Sequence, residues 1–340
     1  MSRFARIVAT GRHLPAERVS NADLLERLGD AHAGRLARFE SGSGIHARYR
    51  AAPGEATSDL AAAAARQALA RADLAPAEVD MILVGTDTPD FPTPATSTVL
   101  QAKLGAHQAG TFDIGCACAS FPTALATAQG LIATNTGVDT VLVVGAYLMS
   151  RHTADDDPMG FFYGDGAGAA VVTAGDRPGV LGAAFEADGR YADYWGIDAG
   201  GTVEPASAAA VAAGRHRVRV KHRYPPEVNE TGWPRLVRRL VARCGLAVAD
   251  IDHVIFTQIN RCTIEHACAA LGLTPERAVM IMGECGYTGS ACVPMALDHL
   301  LGSGRAAAGD RVVLLGSGVG YNMAAVALEI GSDALRANPG

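Results

Sequence analysis

Two stretches of this chain match at a fixed separation, and that repeat constrains the fold more than any other feature. Leu69–Asp80 (LARADLAPAEVD) matches Val241–Asp252 (VARCGLAVADID) 172 residues further on. The same shift carries Ala119–Leu125 onto Ala291–Leu297, with Pro122 falling on Pro294. Gly145, after the apolar run Val141–Val144, meets Gly316, after Val312–Leu315, at a shift of 171. In a chain of 340 residues this is a duplication of about half the length. It predicts two similar halves, residues 1–173 and 174–340, stacked face to face. Their equivalent loops would meet near a pseudo-twofold axis, where a cleft forms.

The elements of each half are α/β in character. Val79–Val84, Val141–Val144, Ile251–Phe256 and Val312–Leu315 are continuous apolar runs, as expected of strands covered on both faces. Asp59–Arg71, Ala119–Thr134, Pro234–Cys244 and Ile264–Leu271 have helical length and composition. The Ala/Gly-rich residues 200–215 read as an inserted loop or lid between the halves, a plain surface loop more readily than a functional lid, within an insertion spanning about 186–216 of the second half.

Composition narrows the function classes. Hydrophobic residues make up 49% and charged residues 19%, too apolar for a disordered chain. The net charge of −6 argues against a nucleic-acid binder or a protein held on an anionic membrane. No apolar run approaches the roughly 18 residues of a membrane span, and the start lacks the apolar core of a signal peptide. Seven cysteines, odd in number and scattered, fit a reducing, cytoplasmic setting better than a disulfide framework.

The segment Thr111–Leu125 (TFDIGCACASFPTAL) ends a short strand and opens a helix. A cysteine there faces first-turn N–H groups and a helix dipole, which favour the thiolate and make it a nucleophile. Cys118 is nearest the helix start and Cys116 lies two residues earlier; taken alone, either is more often a buried structural residue. A metal site is not expected, because a Cys-x-Cys pair needs further ligands at close spacing. The glycine-rich stretches Tyr163–Val172 and Leu315–Asn322 do not fit dinucleotide binding. The first runs into a β-branched segment, and the second leaves no room for a following strand with its acidic cap. Their glycines suit close backbone approach, including an N–H aimed at a developing oxyanion.

Taken together, FDIGCACASFPTAL, FFYGDGAGAAVV, YTGSACVPMAL and GSGVG, in this order and spacing, resemble the β-ketoacyl-ACP synthase III branch of the thiolase superfamily. The resemblance spans nearly the whole chain from Asn21–Leu24 onward. It implies a thiolase-like, duplicated αβαβα five-layer fold and an enzyme, usually a homodimer, that moves acyl groups through a cysteine thioester. Its nucleophile falls on Cys118, and its oxyanion donors fall on the N–H groups of Cys118 and Gly320. Its His-Gln-Ala-Asn motif falls on Thr257-Gln258-Ile259-Asn260, and its second catalytic asparagine falls on Tyr287. The histidine and asparagine that assist decarboxylation are therefore replaced, while Gln258 and Asn260 fit.

Two functional expectations follow from that departure. Acylation of Cys118 should survive, giving an acyltransferase of fatty-acid-like or polyketide metabolism that uses acyl-CoA or acyl-ACP as substrate and needs no further cofactor. Claisen condensation with malonyl-ACP would require Thr257 and Tyr287 to donate in place of the lost pair; a lost donor costs ~3 kcal/mol, around a hundredfold in rate. A third expectation is a non-catalytic partner of another ketosynthase. Asn260 and Arg261 are candidate substrate-binding residues. Arg38–Ile45 (RFESGSGI) has no tryptophan, and no arginine in the Gly-Ser-Gly-Ile positions where the resemblance places the family's CoA-side motif, which favours delivery by a carrier protein. The basic strand at 215–223 and the arginines of the following helix would attract such an acidic partner. His152, His266 and Cys285 match no family catalytic position and read as structural or solvated.

Overall fold

Each apolar run becomes a strand of one of two sheets. The computed structural model describes residues 3–135, 137–154 and 156–338. The first sheet contains β1 (Phe4–His13), β2 (Met81–Gly85), β3 (Gly110–Ile114), β4 (Thr140–Tyr147) and β5 (Gly166–Gly175) in the spatial order β1-β5-β4-β2-β3. The second contains β6 (Val180–Ala187), β7 (His253–Phe256), β8 (Arg311–Gly318) and β9 (Asn322–Glu329), ordered β7-β8-β9-β6. Strand β2 runs parallel to both β3 and β4, as β7 does to β8, and the other strand pairs of the two sheets are antiparallel. The two sheets thus share one topology. The second reduces the place of β3 to a single bridge between Val254 and Ala278. Every residue of β4 is buried, as a strand covered on both faces requires.

The main helices are α1 (Thr57–Arg71), α2 (Ser120–Thr134), α3 (Gly232–Arg243), α4 (Arg261–Leu271) and α5 (Cys292–Gly302). Helices α2 and α5 lie between the sheets and share one apolar core with both. Helix α1 covers the first sheet from outside through a separate alanine-rich core, and α3 packs on the outer side of the second. The result is the duplicated αβαβα arrangement. Both central helices carry their proline, Pro122 or Pro294, in the first turn, where no intrahelical N–H bond is lost. Each is preceded by a matching single turn, Ala117–Ala119 and Gly289–Ala291.

The halves interlock at that turn. A Cβ on Gly145, near the end of β4, would stand 2.4 Å from the Ser290 carbonyl oxygen; one on Gly316 of β8 would stand 2.4 Å from that of Cys118. Ser290 is the counterpart of Cys118 at the 172-residue shift, so each half seats its turn in a slot in the other half's sheet. The turns share a left-handed residue as well: Gly289 has φ +44° and Ala117 has φ +48°. An alanine held there costs roughly 1–2 kcal/mol, which the packed turn must offset.

Residues 200–215 are mostly exposed, but the insertion around them is folded. Trp195–Ile197 and Val218–Val220 form a two-stranded ribbon, and Ala208–Ala212 is a short helix capped by Ser207. The expected basic face of residues 215–223 is largely neutralised there. Arg215 pairs with Glu204 (2.7 Å), Lys221 with Asp193 and Asp198, and Arg219 lies 3.7 Å from Asp198. On α3, Arg235 and Arg239 both meet Glu186. No helix of the described residues is long and apolar enough to cross a membrane.

Candidate active site

Cys118 sits in the Ala117–Ala119 turn at the foot of α2, only 3% exposed, and lines a cavity of about 280 Å³. The turn is fixed from both sides: the Cys116 N–H donates to Ser120 Oγ (2.9 Å), and Thr123 Oγ1 donates to the Ala119 carbonyl (2.8 Å). Facing the thiol is Tyr287, whose hydroxyl meets Cys118 Sγ. Tyr287 arrives from the second half on a segment stitched to the first. Its N–H donates to the Phe162 carbonyl (2.9 Å), and its own carbonyl accepts from the Gly164 N–H (3.0 Å). The sequence expectation that these two positions meet at one site is met by this pairing.

The expected lowering of the thiol pKa is not. Burial pushes Cys118 well above the usual thiol range, the Asp87 charge and Cys292 push the same way, and only hydrogen bonds, led by that to Tyr287, pull it back. Burial likewise raises the Tyr287 phenol. Desolvation outweighs the helix terminus, so the resting site holds a neutral thiol against a neutral phenol.

The other predicted residues take different places. Thr257 is fully buried, its Oγ1 accepts the Ser317 N–H (2.7 Å), and it does not line the cavity. It therefore ties β8 to the end of β7, and its hydroxyl oxygen is already engaged with the main chain. Gln258 clamps the same region, donating to the Phe256 and Val279 carbonyls and accepting from Ile281 N–H. Asn260 caps α4 through Thr263 N–H (2.7 Å) and borders an outer groove rather than the thiol. Arg261 is exposed, donates to the Ser41 carbonyl (3.2 Å) and lines neither cavity. The Gly320 N–H, expected as an oxyanion donor, donates to the Tyr224 hydroxyl (3.2 Å); an oxyanion would have to take that place. Cys116, Cys285, His152 and His266 do not line the cavity, and Cys285 is raised to about 11 by burial.

Several cavity residues escaped the sequence reading. Tyr147, Tyr163, Tyr224 and Tyr321 line it together with Tyr287, and the insertion contributes Trp195, Ile197 and Val218. Trp195 Nε1 donates to the Tyr163 hydroxyl (2.9 Å), fastening the ribbon to the core. So the flanks of the insertion wall the site, while its tip alone fits the expected surface loop. Asp87, just after β2, is the cavity's one acidic residue, and burial raises its carboxyl to about 6. Its counterpart at the 172-residue shift, Ile259, lines the cavity from the other half. That placement at the end of a central parallel strand is the sequence signal that could have found it. Among the described residues, no three His, Cys, Asp or Glu side chains converge as metal ligands would.

An outer groove of about 610 Å³ shares Trp195 and Ile259 with the inner cavity. Arg35, Arg38, Phe39 and Phe162 are on its walls.

Two stacked α/β halves of one topology that both line the cavity at Cys118 define a thiolase-type protein. Sequence comparison is more specific. Family models for 3-oxoacyl-[acyl-carrier-protein (ACP)] synthase III match residues 112–189, and those for its C-terminal part match 241–330. A β-ketoacyl-[acyl-carrier-protein] synthase III of Symbiobacterium thermophilum is 37% identical over 330 residues, 96% of this chain and 98% of that protein. The chain belongs to the β-ketoacyl-ACP synthase III family. Among solved structures, the Pseudomonas aeruginosa PAO1 3-oxoacyl-(acyl carrier protein) synthase III superposes with TM-score 0.87 at 31% identity, covering 97% of this chain and 99% of that one. The priming β-ketosynthase of the R1128 polyketide biosynthetic pathway gives 0.88 at 30% identity, covering 97% of each chain.

Proposed function

We propose that Cys118 takes an acyl group from an acyl thioester, holds it as a covalent thioester, and passes it to a second substrate. The observation that carries this reading is the pair of adjoining cavities, the inner one lined by the thiol. A buried sulfur in a cavity that shares the walls of Trp195 and Ile259 with a wider groove suits a donor on a long thin arm such as phosphopantetheine. Arg35 and Arg38 on the groove would meet the phosphate of acyl-CoA or an acyl carrier protein. The relatives named for acyl-carrier-protein synthases and for polyketide priming support that donor class and a role in fatty-acid-like or polyketide metabolism. A homodimer is the expected assembly, and the acyl thioester is the only small molecule the first half-reaction requires.

The test is intact-protein mass spectrometry after incubation with acetyl-, malonyl- and longer acyl-CoA and with the corresponding acyl-ACPs. One acyl adduct is expected, absent in Cys118→Ala. No adduct with any donor would overturn the reading in favour of a non-catalytic partner of another ketosynthase, a role that the buried, tyrosine-capped thiol would suit.

Decarboxylative condensation is a second reading, favoured by the Tyr287 hydroxyl at the reacting sulfur. In that reading Tyr287 alone stands in for the missing donors, because Thr257 lies behind the cavity wall. Release of CO2 from malonyl-ACP by the acylated enzyme, with formation of a β-ketoacyl product, is its signature.

A further inference from the structure

A buried thiol that rests protonated needs a proton acceptor, and the cavity offers only one strong candidate. Among the described residues lining it there is no histidine, lysine or arginine. The titratable groups facing one another across it are Cys118, Tyr147, Tyr163, Tyr224, Tyr287, Tyr321 and Asp87, with Cys292 packed behind. Burial holds all the phenols and both thiols in their neutral forms. Asp87 is left as the group able to change charge near neutrality.

Its surroundings keep a carboxylate available. Ser290 Oγ donates to the Ala146 carbonyl (2.7 Å) and reaches Asp87 Oδ1 at 3.3 Å, a contact that favours the ionised carboxylate against the burial that disfavours it. Ser290 is the counterpart of Cys118 in the duplication, so the second half's turn holds the acceptor that the first half's turn needs. Asp87 and Cys118 line the same cavity of about 280 Å³, and the Asp87 charge raises the Cys118 thiol together with burial.

We propose that Asp87 is the proton-accepting residue of the first half-reaction. The inference rests on the acyl-enzyme reading above. As Cys118 Sγ bonds to the carbonyl carbon of the donor thioester, its proton passes to the Asp87 carboxylate. The donor's own carbon–sulfur bond then breaks, and Asp87 returns the proton to the departing thiolate, so atoms and charge balance. The carboxylate form, present above about pH 6, is the active one.

The experiment measures the rate of Cys118 modification by iodoacetamide between pH 5 and 9, by intact mass, in the wild type, Asp87→Asn and Asp87→Glu. This readout needs no acyl donor, so it is independent of whether the donors offered acylate the enzyme. In the wild type the rate should rise through about pH 6 and level off. In Asp87→Asn it should be roughly a hundredfold lower at pH 7 and climb about tenfold per pH unit without a plateau; Asp87→Glu should restore the plateau in part. A wild-type profile with no inflection near 6, or an Asp87→Asn protein that reacts as fast or faster, overturns the proposal. The faster case would mean that Asp87 only repels the thiolate. The wild-type profile alone suffices if the asparagine variant does not fold. Acylation failing with every donor while the inflection is present would instead sink the acyl-enzyme reading.

Discussion

The Tyr287 hydroxyl and Cys118 Sγ are hydrogen-bonded across the junction between the two halves, in a region where neither group is ionised at rest. A phenol can donate to a sulfur as it becomes anionic, and a hydrogen bond to a charged group contributes about 1.5–3 kcal/mol. Tyr287→Phe keeps the ring packing against Phe162, whose centroid is 4.6 Å away, and removes only the donor. The expected result is acylation at least about tenfold slower with little change in melting temperature, followed by adduct mass against time. Faster acylation would show that the hydroxyl obstructs the thiol instead of assisting it.

Thr257 should behave as a structural residue. Its Oγ1 satisfies a buried main-chain N–H, and Thr257→Val strands that donor at an expected cost of about 1–3 kcal/mol. Calorimetry should show the lower stability, while the Cys118 acylation rate stays within a few-fold of the wild type. A large kinetic loss with unchanged stability would return Thr257 to the reaction.

Asp87 also predicts a pH dependence of stability. Burial raises its carboxyl from the usual 3.8 to about 6, so the folded protein holds the proton more tightly than the unfolded chain does. The sign follows: between about pH 4 and 6 the native state binds more protons, and stability from this group falls as pH rises through that window. The full shift corresponds to about 3 kcal/mol as an upper bound, because the carboxyl borders an open cavity. Asp87→Asn should therefore raise stability at pH 7 while abolishing the gain on going to pH 4, as read by denaturant melts at both values.

The reciprocal slots give a paired test. Gly145→Ala and Gly316→Ala each place a methyl 2.4 Å from a carbonyl oxygen of the opposite turn, and overpacking of backbone costs roughly 1–3 kcal/mol or more. Both variants should melt lower. Gly316→Ala displaces the Cys118 turn directly and should slow acylation far more than Gly145→Ala, which displaces Ser290.

Features tied to local pattern or to the repeat were legible in the sequence. The 172-residue shift maps one central helix and its entry turn onto the other, and the continuous apolar runs are the sheet cores. Cys118 could be placed at a helix foot because a strand, a glycine and a helix follow one another within 15 residues. What escaped depends on contacts between residues far apart in the chain. Nothing in a Thr-Asp-Thr-Pro-Asp loop announces that Asp87 faces Ser290, 203 positions away. Nor does a low-complexity tip reveal that Trp195 and Val218 at its base close a cavity. The thiol pKa went astray for a related reason. A helix terminus can be read from sequence, whereas the depth of burial that overrides it is a property of the assembled halves. Charge pairing did the same to the basic strand, whose acidic partners Asp193, Asp198 and Glu204 come from the same insertion.

The clasp at Gly145 and Gly316 has a consequence for motion. Neither lobe can loosen its entry turn without vacating the groove in its neighbour, so opening near the thiol must draw on the cooperative strength of the whole molecule. Amide hydrogens around Cys118 should then exchange as slowly as those of the sheet centres, and breathing that admits a reactant must come from the ribbon at Trp195 instead.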